Sequence, residues 1–155
     1  SLEACEDPPF SYLLDKGHTR DMKPRTEDVL FSDTAEPREL PFGMHEATSV
    51  YIEGRSPAQA AACAYAFLTQ EVTSSIQQVK PEKFVIKAEV FDEEGGCLSH
   101  CALKAKVLRV PQPSNGGHRL LVEFQRRRGD PLVFGRIFGR ASRYIIDRLS
   151  AAGAP

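Results

Sequence analysis

Residues His118 to Leu149, HRLLVEFQRRRGDPLVFGRIFGRASRYIIDRL, hold the part of the chain from which the fold is most directly read. Leu120, Val122 and Phe124 alternate with Leu121, Glu123 and Gln125, and that period of two gives a β-strand one wholly apolar face. The run ends in Arg128-Gly129-Asp130-Pro131. Glycine permits a turn, aspartate caps orphan backbone N–H groups, and proline suits the first helical position, where its missing N–H costs nothing. The sequence therefore predicts a helix from Pro131. Along it Phe134, Ile137, Phe138, Ala141, Ile145 and Leu149 recur at spacings of three and four, a single apolar stripe that packs inward. Arg136, Arg140 and Arg143 follow the same spacings about a third of a turn away, which predicts a basic row on the outer side.

Upstream, Ser56-Pro57 repeats the pattern of an N-cap followed by proline. An Ala-rich run follows, in which Ala61, Ala64, Tyr65, Leu68, Val72 and Ile76 keep helical spacing, predicting a helix over about 57–78. Phe84, Ile86, Ala88 and Val90 then alternate with Val85, Lys87, Glu89 and Phe91. Glu94-Gly95-Gly96 supplies a turn into a second strand over about 98–110. PQPSNGG, residues 111–117, is a turn-rich loop into the strand already described. The expected fold is α+β: an antiparallel sheet of three to five strands with two helices packed on one face, in the order α-β-β-β-α. Residues 51–155 would form this module. Residues 1–50, acidic and Pro-rich, would form an extended arm, with apolar clusters (Phe10, Tyr12, Leu13, Leu14; Val29, Leu30, Phe31; Leu40, Phe42, Met44) that either link or dock.

The net charge of −1 hides an asymmetry. Residues 1–56 carry 6 Lys/Arg against 12 Asp/Glu, whereas from Leu98 onward there are 11 against 3. Such a surplus implies an anionic partner: lipid headgroups, nucleic acid, a phosphopeptide or the chain's own acidic half. The 155 residues fit one domain with an extension, and no apolar run approaches the ~18 residues that span a bilayer. The chain begins at Ser1 without a methionine, as a fragment would, so the lack of a signal-peptide pattern says little about location. Cys5, Cys63, Cys97 and Cys101 show no disulfide-framework spacing, which favours a reducing compartment.

With LLVEFQRRRGDPLVFGRIFGRASRYI as its most specific part, this arrangement resembles the kinase-associated domain 1, a C-terminal module of AMPK-related, MARK-type and checkpoint-type Ser/Thr kinases. The resemblance covers roughly 56–149. Its hallmarks are the last strand (Leu121, Val122, Glu123, Phe124), the Gly129-Asp130 turn and a helix carrying Leu132, Phe134, Arg136 and Phe138. Pro131 and Gly135 depart from the family pattern, and no part of a kinase catalytic core is present. The resemblance implies a non-catalytic regulatory module that binds anionic phospholipid membranes, its kinase catalytic domain, or both, for autoinhibition or localisation. The alternative is a protein–protein docking module whose basic face takes an acidic partner or its own acidic arm. A cytoplasmic setting follows, at the membrane periphery or with access to the nucleus.

The residues expected to carry binding are Arg126, Arg127, Arg128, Arg136, Arg140 and Arg143, joined by Lys104 and Lys106 from one side of the second strand. Strand alternation places Arg126 and Arg128 on one side and Arg127 on the other, so the triplet joins one patch only if the turn rotates it. Solvated faces also carry such charges, and for Lys104 and Lys106 plain solubility is the simpler expectation. CLSHC, residues 97–101, invites a metal reading, but it lacks a fourth ligand at a recognisable spacing and alternation turns His100 away from both cysteines. His18, His45 and His118 are isolated, no nucleophile has a readable base, and Gly129, Gly135 and Gly139 do not form a phosphate loop. No catalytic residue, metal or cofactor is expected. Nucleic acid is disfavoured, because aromatics make up only 8% and none is interleaved with the arginines.

Overall fold

The computed structural model describes residues 29–39, 48–94, 97–111 and 118–150. In chain order the elements are β1 (Arg38–Glu39), β2 (Ser49–Ile52), α1 (Pro57–Ala66), β3 (Thr73–Lys80), β4 (Val85–Glu94), β5 (Cys97–Pro111), β6 (His118–Gly129) and α2 (Pro131–Ile145). The sheet runs β2-β6-β5-β4-β3 with every neighbour antiparallel, and β1 adds a short parallel pairing on β5. This is the expected α+β architecture, with β1 and β2 ahead of the first helix and β3 directly after it.

Both helices start where the sequence places them, for the reasons it suggests. The Ser56 hydroxyl accepts from the Gln59 backbone N–H (3.1 Å), and the Gln59 side chain accepts from the Ser56 N–H (2.9 Å), a reciprocal cap behind Pro57. Asp130 accepts from the Leu132 N–H at 2.8 Å, with Pro131 at the first helical position. Each helix ends in a wider π-helical turn, Phe67–Glu71 after α1 and Ile146–Ser150 after α2.

The end of α1 corrects the sequence expectation. Val72 to Gln78 is not helical; the chain turns at Val72 and enters β3, which pairs with β4. Val72 and Ile76 stand four apart, a spacing that serves a strand face as well as a helix face, and Thr73, Ser74 and Ser75 between them favour the extended form. The Ser74 hydroxyl donates to the Leu68 carbonyl and closes the junction.

The core lies between the helices and one face of the sheet. Ala60, Ala61, Ala64, Tyr65 and Leu68 from the first helical segment and Val133, Ile137, Ala141 and Ile145 from α2 meet Val50, Ile52, Ile86, Ala88, Val90, Leu103, Ala105, Val107, Val122 and Phe124. Val133 therefore joins the α2 stripe, while Phe134, Phe138 and Leu149 flank it, partly buried.

Of the three apolar clusters in the acidic segment, the one within the described residues, at 29–31, docks through Phe31. Phe31 is 4% exposed, stacked on Phe84 (centroids 6.2 Å) and edge-on to Tyr65 (6.4 Å). Phe84 itself takes a left-handed φ of +56°, a conformation costing about 1–3 kcal/mol in a non-glycine residue; burial of its ring in this aromatic contact holds it there. The clusters at 10–14 and 40–44 lie outside the described residues, as do the loop at 112–117 and the glycines of the β4–β5 turn.

β4 begins at Val85, opposite Lys106. Beyond that point β1 takes over the same edge of β5, pairing Arg38 with Leu108 and Glu39 with Arg109. Arg109 secures the junction by donating to the Pro37 carbonyl (2.9 Å) and lying 3.5 Å from Glu36.

Candidate anion-binding face

The face of the sheet away from the helices, the far face, carries Lys87 and Glu89 on β4, Lys104 and Lys106 on β5, and Glu123 and Gln125 on β6. These positions alternate with the core residues and sit side by side in the register. Lys87 pairs directly with Lys104, and Lys104 in turn with Gln125; Lys106 pairs with Glu123. The expectation that Lys104 and Lys106 share a side therefore holds, although both are partly buried. The same face buries Ala102, Leu108 and Leu121 and, toward the β4–β5 turn, Phe91.

A bulge organises the arginine triplet. Arg126 pairs with Leu103 and Arg128 with Ala102, consecutive residues of β5, so Arg127 is the extra residue of β6. A bulge re-aims side chains and breaks strict alternation. Arg128 consequently reaches the far face, 3.8 Å from Glu89. Arg127 comes close enough to Lys104 to act on its ionisation. Arg126 turns the other way and donates to the Gly129 carbonyl at 2.9 Å. Simple alternation had paired Arg126 with Arg128; the structure instead groups Arg127 with Arg128.

The helical arginines form no second continuous patch. Arg136 lies 2.7 Å from Asp92 at the end of β4, Arg140 donates to the Glu71 carbonyl at 2.8 Å, and Arg143 is exposed further along the helix. Arg136 and Arg140 thus tie α2 to its neighbours. Such exposed pairs contribute little, typically under about 1 kcal/mol each.

Two far-face carboxylates, Glu123 and Glu89, are enclosed, whereas Glu93 and Glu53 are exposed. Glu123, 2% exposed, lies 3.4 Å from the Lys106 ammonium. Glu89, 7% exposed, accepts from Gln77 (3.3 Å), lies 2.8 Å from His100 Nδ1 and faces Arg128. His100 is therefore on the far face and Cys101 on the core side, as alternation requires, and among the described residues no group of three His, Cys, Asp or Glu is placed to hold a metal. Lys104 has no carboxylate within ion-pair distance among the described residues. Burial, then Lys106, Lys87 and Arg127 in decreasing order, push its pKa below the usual lysine value, and Glu123 only partly offsets them.

Lys87 was not among the site residues expected from sequence. The strand register reveals it: counting back from Glu94 and forward from Cys97, which pair, sets Lys87 against Lys104. The bulge at Arg127 has no comparable signal in the sequence.

The fold and face define a two-layer α+β domain with a cationic sheet surface. No protein-family model, curated protein or solved structure matches the chain. No described helix is long and apolar enough to cross a membrane.

Proposed function

We propose that this chain is a non-catalytic regulatory module of a Ser/Thr protein kinase, whose far face binds anionic phospholipid at the cytoplasmic membrane surface and so localises or restrains the kinase. The observation that supports it best is the gathering of Lys87, Lys104, Lys106, Arg127 and Arg128 on one face, where Glu89 and Glu123 are enclosed and the exposed carboxylates, Glu93 and the Arg119-paired Glu53, lie toward the margins. Cations near an anionic leaflet contribute about 1 kcal/mol each. After Glu89, Glu123 and Glu93 are set against them, with Glu53 offset by Arg119, about 2 kcal/mol remains. That is a reversible, peripheral attachment, screened beyond a Debye length of about 8–10 Å.

The test is co-sedimentation with vesicles containing phosphatidylserine, at low and high salt. Binding at low salt that disappears at high salt, and that falls at least fivefold in an Arg127→Ala/Arg128→Ala double variant, is the expected result. Absence of binding to these vesicles at low salt overturns the lipid reading. The regulatory part predicts a kinase catalytic domain encoded upstream of Ser1 in the same polypeptide; its absence from the full-length transcript overturns that part.

A further inference from the structure

We propose that Lys87, Lys104, Lys106 and Arg127 form a site for a polyvalent phosphate, a headgroup or soluble ester bearing two or more neighbouring phosphate groups, rather than a surface for diffuse negative charge. The inference rests on the far face being the anion-binding surface and adds what that surface selects.

Lys87 and Lys104 are directly opposed across an antiparallel pair, an arrangement in which like charges are destabilising. Arg127 brings a third cation to Lys104 through the bulge, and Lys106 stands two residues along the same strand. A solubilising face spaces its charges and intersperses the opposite sign. Here four cations converge; Glu123 is already paired with Lys106 at 3.4 Å, and Glu89, two residues along β4 from Lys87, is engaged by His100, Gln77 and Arg128. The lowered pKa of Lys104 reports the same crowding.

Such a cluster is stabilised by whatever neutralises it most compactly. The stems rise from a lattice of about 4.8 Å between strands and about 7 Å between alternate residues of one strand, so their flexible tips can meet on one small molecule. Lysine ammonium groups bind phosphate as point charges, and the arginine adds a planar fork suited to two oxygens. A singly charged headgroup satisfies one of these cations and leaves the rest repelling one another. A bisphosphate engages several at once.

The test compares three probes on the intact chain: phosphatidylserine vesicles, vesicles with phosphatidylinositol bisphosphate matched to them in net charge, and soluble inositol hexakisphosphate, each also against Lys104→Ala. Expected are at least tenfold tighter binding to the bisphosphate vesicles than to the phosphatidylserine vesicles, and a rise in Tm with inositol hexakisphosphate. Lys104→Ala should lose at least tenfold of the bisphosphate affinity while its own Tm is equal or higher, because it relieves repulsion. A higher or unchanged Tm shows that the loss is not unfolding. If Lys104→Ala does unfold, Lys104→Gln provides the same comparison with the stem retained. Equal binding to the two charge-matched vesicles overturns this inference and leaves the lipid reading standing. Binding of inositol hexakisphosphate without either vesicle supports the polyphosphate site in its soluble form and overturns the lipid reading. Binding of no probe overturns both.

Discussion

Gly129 offers a sharp test of how β6 is joined to α2. Its φ of +97° lies in the left-handed region, and a Cβ there would stand 2.6 Å from Cys101 Cα and 2.8 Å from the His100 carbonyl oxygen. Both are backbone atoms of β5, held by pairing on either side, so neither can swing aside as a side-chain tip can. Gly129→Ala therefore combines backbone strain of about 1–3 kcal/mol with overpacking of about 1–3 kcal/mol, together about 2–6 kcal/mol. At about 4 °C per kcal/mol for a domain of this size, Tm should fall by about 8–24 °C. Gly54 is the internal control: its φ is +76°, but nothing lies within 4 Å of the position a Cβ would take. Gly54→Ala carries only the conformational part, the same about 1–3 kcal/mol. Urea unfolding of both variants, with the slope checked for constancy, isolates the close approach as their difference. Equal destabilisation would mean that β6 and α2 can pivot about Gly129 without disturbing β5, which refutes the reasoning.

Three further outcomes follow from the packing. Asp130→Ala removes the cap on Leu132 and should cost about 1 kcal/mol, with Asp130→Asn largely restoring it, as read by urea unfolding. Phe31→Ala should cost about 3 kcal/mol, because that ring fills space against Tyr65 and Phe84; an unchanged unfolding midpoint would show that residues 29–37 only tether the chain. Burial raises Cys63 and Cys101 from 9.0 to about 11, with Arg148 and Arg126 respectively pulling back. In a Cys5→Ser/Cys97→Ser background the two thiols should therefore resist iodoacetamide at pH 8 until the protein unfolds. Because the folded state favours the neutral thiol, this contribution to stability is intact below pH 9 and is lost as pH rises from about 9 to about 11.

What was legible in the sequence is what depends on near neighbours. The Gly129-Asp130-Pro131 junction, the Ser56-Pro57 cap and the stripe through Ile137, Ala141 and Ile145 all act within a few residues, and each appears in the structure as read. The first helix was drawn too long because Val72 and Ile76 satisfy two periods at once and only pairing with β4 chooses between them. β2 is four residues long and becomes a strand through its register with β6. In the candidate site, Lys104 and Lys106 were legible from alternation. The fates of the arginines were not, since Asp92 lies 44 residues from Arg136 and Glu71 lies 69 from Arg140. The bulge that selects Arg127 and Arg128 over Arg126 is fixed by how β6 meets β5.

The lane that β1 takes up after β4 begins bears on how this domain can be handled. A chain shortened to start at Thr48 would keep both helices and the five main strands, and would look complete. It would also leave the outward backbone groups of Leu108 and Arg109 with no strand beside them, next to a run of alternating apolar residues at Leu103, Ala105 and Val107. A bare strand edge recruits whatever strand it meets first. The expected product of that truncation is a protein that self-associates through this stretch of β5, the interior gap that Arg38 and Glu39 close in the natural sheet.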